Sequence, residues 1–255
     1  MLRSMYSGVS GMKNFQTKLD VIGNNISNVN TIGYKKSTIN FQDLMSQNMS
    51  NGGTNPMQVG LGSSTSSINV VHTPGSSMST GVGTDLTVSG DGFFVVGSNE
   101  DPRLTRSGSF TVDDDGYLKT TQGLNVLDKS GLPIQIINQA DRSSFVINSA
   151  GEVKVPSSED PIAELGMVTV DNPSSLRKLG GSMYGVPADI EFTVDSDLTA
   201  TRAGVSIGSG QLEMSNVDLT EEFTEMIIAQ RGFQANSRTI TTSDELLQEV
   251  VNLKR

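Results

Sequence analysis

The sequence predicts an α+β chain: a discontinuous α-helical coiled coil made by the two ends, with an all-β domain inserted between them through extended linkers. Three observations predict it. A ladder of apolar residues with alternating four- and three-residue steps runs through residues 219–251, a similar ladder runs through residues 2–26, and the stretch 84–201 is a series of short β-prone runs separated by Gly and Asp turns. The expected division is 1–36 with 211–255 as the helical domain, 37–83 with 202–210 as extended linkers, and 84–201 as the β domain.

The carboxyl-terminal ladder reads Leu219, Phe223, Met226, Phe233, Ile240, Leu247 and Val251, with Gln230, Ser237 and Asp244 on its remaining rungs. Seven apolar rungs of ten is the seven-residue pattern of a coiled-coil seam. Asp218, with Glu221 three residues on, suits a helix start because a carboxylate accepts bonds from the unpaired N–H groups of a first turn. Such a helix spans roughly 50–60 Å at 1.5 Å per residue, too long and one-sided for a small domain to bury.

The amino-terminal ladder reads Leu2, Met5, Val9, Met12, Gln16, Leu19, Gly23 and Ile26, with Ile22 and Val29 widening the stripe. The helix is expected over about residues 3–29, ending in an asparagine-rich run with Gly33 as a left-handed stop. Gln16 and Gln230 each sit mid-ladder; a polar rung either fixes register or is simply solvated. The charges of the two ends complement each other. With −10 on the whole chain, +4 on residues 1–36 and −3 on residues 216–255, the intervening residues carry −11. That acidity argues against nucleic acid as a partner, since phosphate binding needs a positive surface.

Only 35% of the 255 residues are hydrophobic and Trp is absent, so the core is modest. Cysteine is absent and histidine occurs once, which excludes disulfides and thiolate chemistry and argues against zinc sites of the usual kind. No apolar run approaches the length of a membrane span, and the amino terminus has no continuous apolar core of a cleaved secretory signal. Residues 37–80, with a Gly/Asn/Pro cluster and a Ser/Thr run, have the composition of a linker, with short extended pieces at 58–62 and 68–71.

Motifs that suggest chemistry fail on their context. Gly204-Val205-Ser206-Ile207-Gly208 fits G-x-S-x-G, but the only histidine, His72, precedes the serine instead of following it. Asp113, Asp115 and Gly116 match part of a calcium loop, but Thr111 and Gln122 stand where acidic ligands are required, and a hairpin turn accounts for them better. Gly90-x-Gly92 opens a dinucleotide fingerprint that Val95 breaks. No catalytic residue, cofactor site or metal site is expected.

Two stretches carry a resemblance. "SGMKNFQTKLDVIGNNISNVNTIGYKKS" and "LEMSNVDLTEEFTEMIIAQRGFQANSRTITTSDELLQEVVNLKR" resemble the two terminal signatures of the bacterial flagellar axial proteins, the rod and hook family. Within it the likeness is greatest to the short hook proteins of Gram-positive bacteria, with the distal rod protein a near relative. The resemblance implies a structural subunit that self-assembles into a tube, the helices lining its axis and the β domain facing outward. It implies residues 37–83 packed on neighbouring subunits, and export by the flagellar apparatus to the hook-basal body outside the cytoplasmic membrane. The implied partners are further copies of the chain, rod and hook-filament junction proteins, the hook cap and the export apparatus. The assembly interface is expected at the thirteen apolar rungs of the two ladders, Leu2 to Ile26 and Leu219 to Val251. A soluble coiled-coil adaptor and a carbohydrate-binding module are the readings from other classes.

Overall fold

Long helices form where the ladders lie, and short antiparallel strands form between them. The computed structural model describes residues 2–50, 57–98, 101–136, 145–155, 160–170, 172–185 and 205–253, with residues 2, 48–50, 57 and 58 described by backbone alone. The chain is mixed α+β and divides into two compact units, one of residues 1–27, 37–71 and 217–255, the other of 28–36 and 72–216.

In the first unit α1 (Leu2–Ser27) and α2 (Leu219–Leu253) are paired. Asp218 caps α2 as its sequence suggests: its carboxylate accepts from the backbone N–H groups of Thr220 at 2.8 Å and Glu221 at 3.4 Å. Between the helices in sequence come β1 (Ser37–Asp43), β2 (Gln47–Ser50), β3 (Met57–Val59) and β4 (Ser63–Val70). β1 pairs antiparallel with β4, with a bulge at Asn40/Phe41, and β2 pairs with β3. The polar stretch with the look of a linker is thus an ordered pair of hairpin ladders, tied to α1 by Asn14, whose amide donates to Ser63 Oγ at 2.8 Å. Asn25 Nδ2 donates to the Ser37 carbonyl at 2.9 Å and its Oδ1 accepts from Ser37 N–H at 3.0 Å, which fixes where β1 begins.

The second unit contains β5 (Ser77–Ser79), β6 (Leu86–Ser89), β7 (Gly92–Ser98), β8 (Asp101–Thr105), β9 (Phe110–Val112) and β10 (Leu118–Thr120). It continues with β11 (Val146–Ile147), β12 (Glu152–Lys154), β13 (Ala163–Glu164), β14 (Met167–Thr169), β15 (Arg177–Gly180), β16 (Met183–Gly185), β17 (Ser206–Ser209) and β18 (Gln211–Glu213). A five-stranded antiparallel sheet, ordered β14-β7-β8-β16-β15, is its centre. Successive side chains of a strand point to opposite faces. Phe94 and Val96 of β7 enter a core with Leu86, Phe110 and Ile134, while Phe93 and Val95 enter a second with Leu104 and Tyr184. Both faces of β7 are therefore covered, which is why its run is apolar without alternation. The chain returns through β17 on β6 and β18 on β5.

The expected turns are present. Gly116, at φ +84°, closes the β9–β10 hairpin, and Asp113 pairs with Lys119, so this stretch is a hairpin with a neutralised carboxylate. Ser206 opens β17 with no helix directly after it, which removes the hydrolase context. Residues 186–201 at the end of the expected β domain, and 202–204 of the returning linker, lie outside the described residues.

Candidate functional site

Small residues set how closely the two terminal helices approach. A Cβ added at Gly8 would lie 3.3 Å from Ile240 Cγ1, one at Gly11 would lie 3.0 Å from Asn236 Nδ2, and one at Gly232 would lie 2.6 Å from Phe15 Cζ. Going up α1, these contacts descend α2, so the helices run antiparallel. Lys18 then pairs with Glu225, and Asn25 Nδ2 donates to Glu222 Oε2 at 3.2 Å. One cross-helix ion pair thus realises the charge complementarity read from the two ends.

This intrachain seam is rotated about one residue from the apolar ladder. On α2 the buried rungs are Glu222, Ala229 and Ser243; on α1, Gly8, Asn14, Ile22 and Asn25 are buried. Of the sequence-predicted interface residues, Met5, Met12, Leu19, Ile26, Met226, Phe233, Ile240 and Leu247 are partly buried. Val9 is 50% exposed, Leu219 39%, Phe223 49% and Val251 65%. Leu2 is described by its backbone alone. Gln16 and Gln230 are both exposed, so they are solvated rungs and do not set the register of this seam. Further large apolar side chains stand exposed on the same helices: Tyr6 on α1, and Ile227, Ile228, Leu246 and Val250 on α2. These exposed apolar side chains make the outer faces of the two helices the candidate interaction surface of this unit.

A second arrangement, in the β unit, escaped the sequence reading. Lys35 and Arg106 are buried around Glu213, with Lys35 Nζ 2.5 Å from Oε1 and Arg106 Nη1 3.4 Å from Oε2. Lys35 also donates to the Thr73 carbonyl at 2.8 Å, and Arg106 Nη2 to the Gly90 carbonyl at 2.7 Å. Burial pulls the Lys35 pKa below its ordinary value, and the hydrogen bond and charge of Glu213 oppose that pull. Gly33 sits at φ +66°, where an added Cβ would strike Ser107 N at 2.6 Å, so the chain can pass only as glycine. Its N–H donates to the Glu213 carbonyl at 2.9 Å. Lys178 donates to the Lys35 carbonyl at 3.0 Å and lies 4.7 Å from the centre of the Tyr34 ring. The cluster joins residues far apart in sequence, and no periodicity could have announced it; the signal available was three charged residues inside otherwise apolar or turn-like runs.

These features define a class: an α+β protein whose two terminal helices pair in one unit and whose second unit is built of short antiparallel strands. Three family descriptions match along it: "Flagella basal body rod protein" over residues 5–35, "Flagellar hook protein FlgE/F/G D1 domain" over 87–155, and "Flagellar basal body rod FlgEFG protein C-terminal" over 209–253. The chain is 47% identical over 266 residues to the flagellar basal-body rod protein FlgG of Bacillus subtilis (strain 168), covering 100% of both. It is 34% identical over 270 residues to FlgG of Borreliella burgdorferi, and 30% identical over 442 residues to the flagellar hook protein FlgE of the same organism, again with 100% of both chains covered. The chain belongs to the flagellar rod and hook protein family. Its relatives are structural proteins of the flagellar hook-basal body, and among its described residues no helix is long and apolar enough to cross a membrane.

Proposed function

We propose that this chain is a rod subunit of the flagellar basal body, the distal rod protein, which polymerises through its terminal helices. The observation that carries the reading is the 47% identity to a basal-body rod protein along the whole of both chains. This moves the assignment from the hook, favoured by the terminal signatures, to the rod. The signatures are shared across the family, so they separate its members less well than likeness along the full length.

The mechanism is heterologous self-association. Val9, Leu219, Phe223 and Val251, exposed on the single chain, meet neighbouring copies, and a contact that does not close on itself propagates as a helical tube. The helical unit lines the tube as a coiled coil and the β unit is the inserted outer domain. Rod and junction proteins adjoin the tube at its ends, and the flagellar export apparatus delivers the chain. The hook is the second reading, favoured by the full-length alignment to a hook protein at 30% identity.

Electron microscopy of basal bodies from a strain deleted for this chain tests the assignment. A rod subunit leaves basal bodies whose rod is incomplete; a complete rod lacking only the hook would transfer the chain to the hook.

A further inference from the structure

We propose that His72 and the Lys35–Glu213–Arg106 cluster form an acid-release device in the β unit: a neutral imidazole is part of the packed state, and a protonated one is expelled from it. The device is independent of whether the tube is rod or hook.

His72 sits in an aromatic pocket, its ring centre 5.7 Å from Phe93 and 5.4 Å from Tyr184, which are 5.8 Å from each other. Both ring nitrogens are shut off from solvent with no hydrogen-bond partner. A neutral imidazole with unpaired nitrogens costs less here than a charged one, which would lose its hydration with nothing in return. The Arg106 guanidinium lies 5.1 Å from the Phe93 ring centre, and its Nε is also buried and unpaired.

The charged groups around the imidazole are mostly of the wrong sign for protonation. Lys35, Arg106 and Lys178 all act against a positive charge on it. Glu213 is the buried carboxylate of the cluster, and it is already engaged by Lys35, Arg106 and the Gly75 N–H at 3.0 Å. Asp91 is exposed and acts on Lys35 at a distance. Tyr184, with a hydroxyl pKa raised by burial, stays neutral through the acid range. The Pro173 backbone favours the protonated ring but is not in hydrogen-bonding geometry with it. Desolvation, and after it the three cations, hold the imidazole pKa down to about 4.

The sign follows. The unfolded chain, with an ordinary imidazole near pKa 6.5, takes up the proton first, so unfolding gains as pH falls. The contribution is fully present above about pH 6.5 and is lost progressively down to about pH 4. Because the residue is only partly buried, the expected effect is set below the full shift: on the order of a tenfold rise in the unfolding constant between pH 7 and pH 4.5.

The chain has one histidine, so an imidazole NMR titration of the monomeric wild-type protein reads His72 without ambiguity. The ring is expected to remain largely neutral to about pH 4.5 and, on protonating below that, to leave its contacts with Phe93 and Tyr184. This is read as shifts of those two rings' signals while the rest of the β core keeps its dispersed methyl signals. Protonation with the Phe93 and Tyr184 signals unchanged overturns the proposal. In parallel urea unfolding, His72→Phe should lack about a tenfold part of the wild-type acid sensitivity. An imidazole that titrates near pH 6.5 while the β core stays native overturns the proposal, as does an identical pH dependence in the variant. Should His72→Phe not fold, the wild-type titration decides alone.

Discussion

Glu213 holds two cations that the β unit has taken out of water. Removing one partner of a buried ion pair leaves the other uncompensated, a loss of about 3–5 kcal/mol, although replacing the whole set by apolar groups can be neutral. Glu213→Ala should therefore lower the stability of the β unit by that order in urea unfolding. The change strands both Lys35 and Arg106. A midpoint within error of wild type would show that water reaches the cluster. Gly33 is the second residue on which the local chain depends. Gly33→Ala meets both an unfavourable φ and the Ser107 backbone, and should cost upwards of about 1 kcal/mol, read in the same experiment. Neither residue belongs to an apolar ladder. Their roles come from where distant segments cross, and that is not written in the spacing of one segment.

At the scale of the helices, the sequence spoke clearly about existence and less well about which face is used. Both helices, the Asp218 cap and the glycine turn at Gly33 could be read locally, because capping and positive φ are local requirements. The intrachain seam could not be read from large apolar residues, because Gly8, Gly11, Ala229 and Gly232 let the backbones come close and need no bulk. Glycine and alanine at three-residue spacing were the available sign. The strands of 37–70 were hidden for a related reason: Ser, Thr and Asn ladders pair by backbone and carry little hydrophobic contrast. Two substitutions separate the faces. Gly232→Leu should drive α2 off Phe15, reducing helicity and the protection of both helices in hydrogen exchange. Phe223→Ser, at an exposed position, should change monomer stability by no more than about 0.5 kcal/mol and yet prevent polymerisation in concentrated solution. Tubes formed normally by Phe223→Ser would remove that residue from the assembly face.

For the molecule as a whole, the two ends do what neither does alone. Each helix is amphipathic, and isolated helices depend on packing of the apolar face. Pairing buries only part of that surface, and the remainder, from Tyr6 and Val9 to Phe223 and Val251, stays exposed on the single chain. Its family consists of proteins of the flagellar hook-basal body, and the proposed assembly would cover that surface. The most direct test is a helical reconstruction of the polymer by electron cryomicroscopy at side-chain resolution. The account predicts Val9, Leu219, Phe223 and Val251 buried between subunits along the tube wall. If those four side chains face solvent in the polymer, and the contacts between subunits run through the β unit alone, then the terminal helices are not the assembly surface.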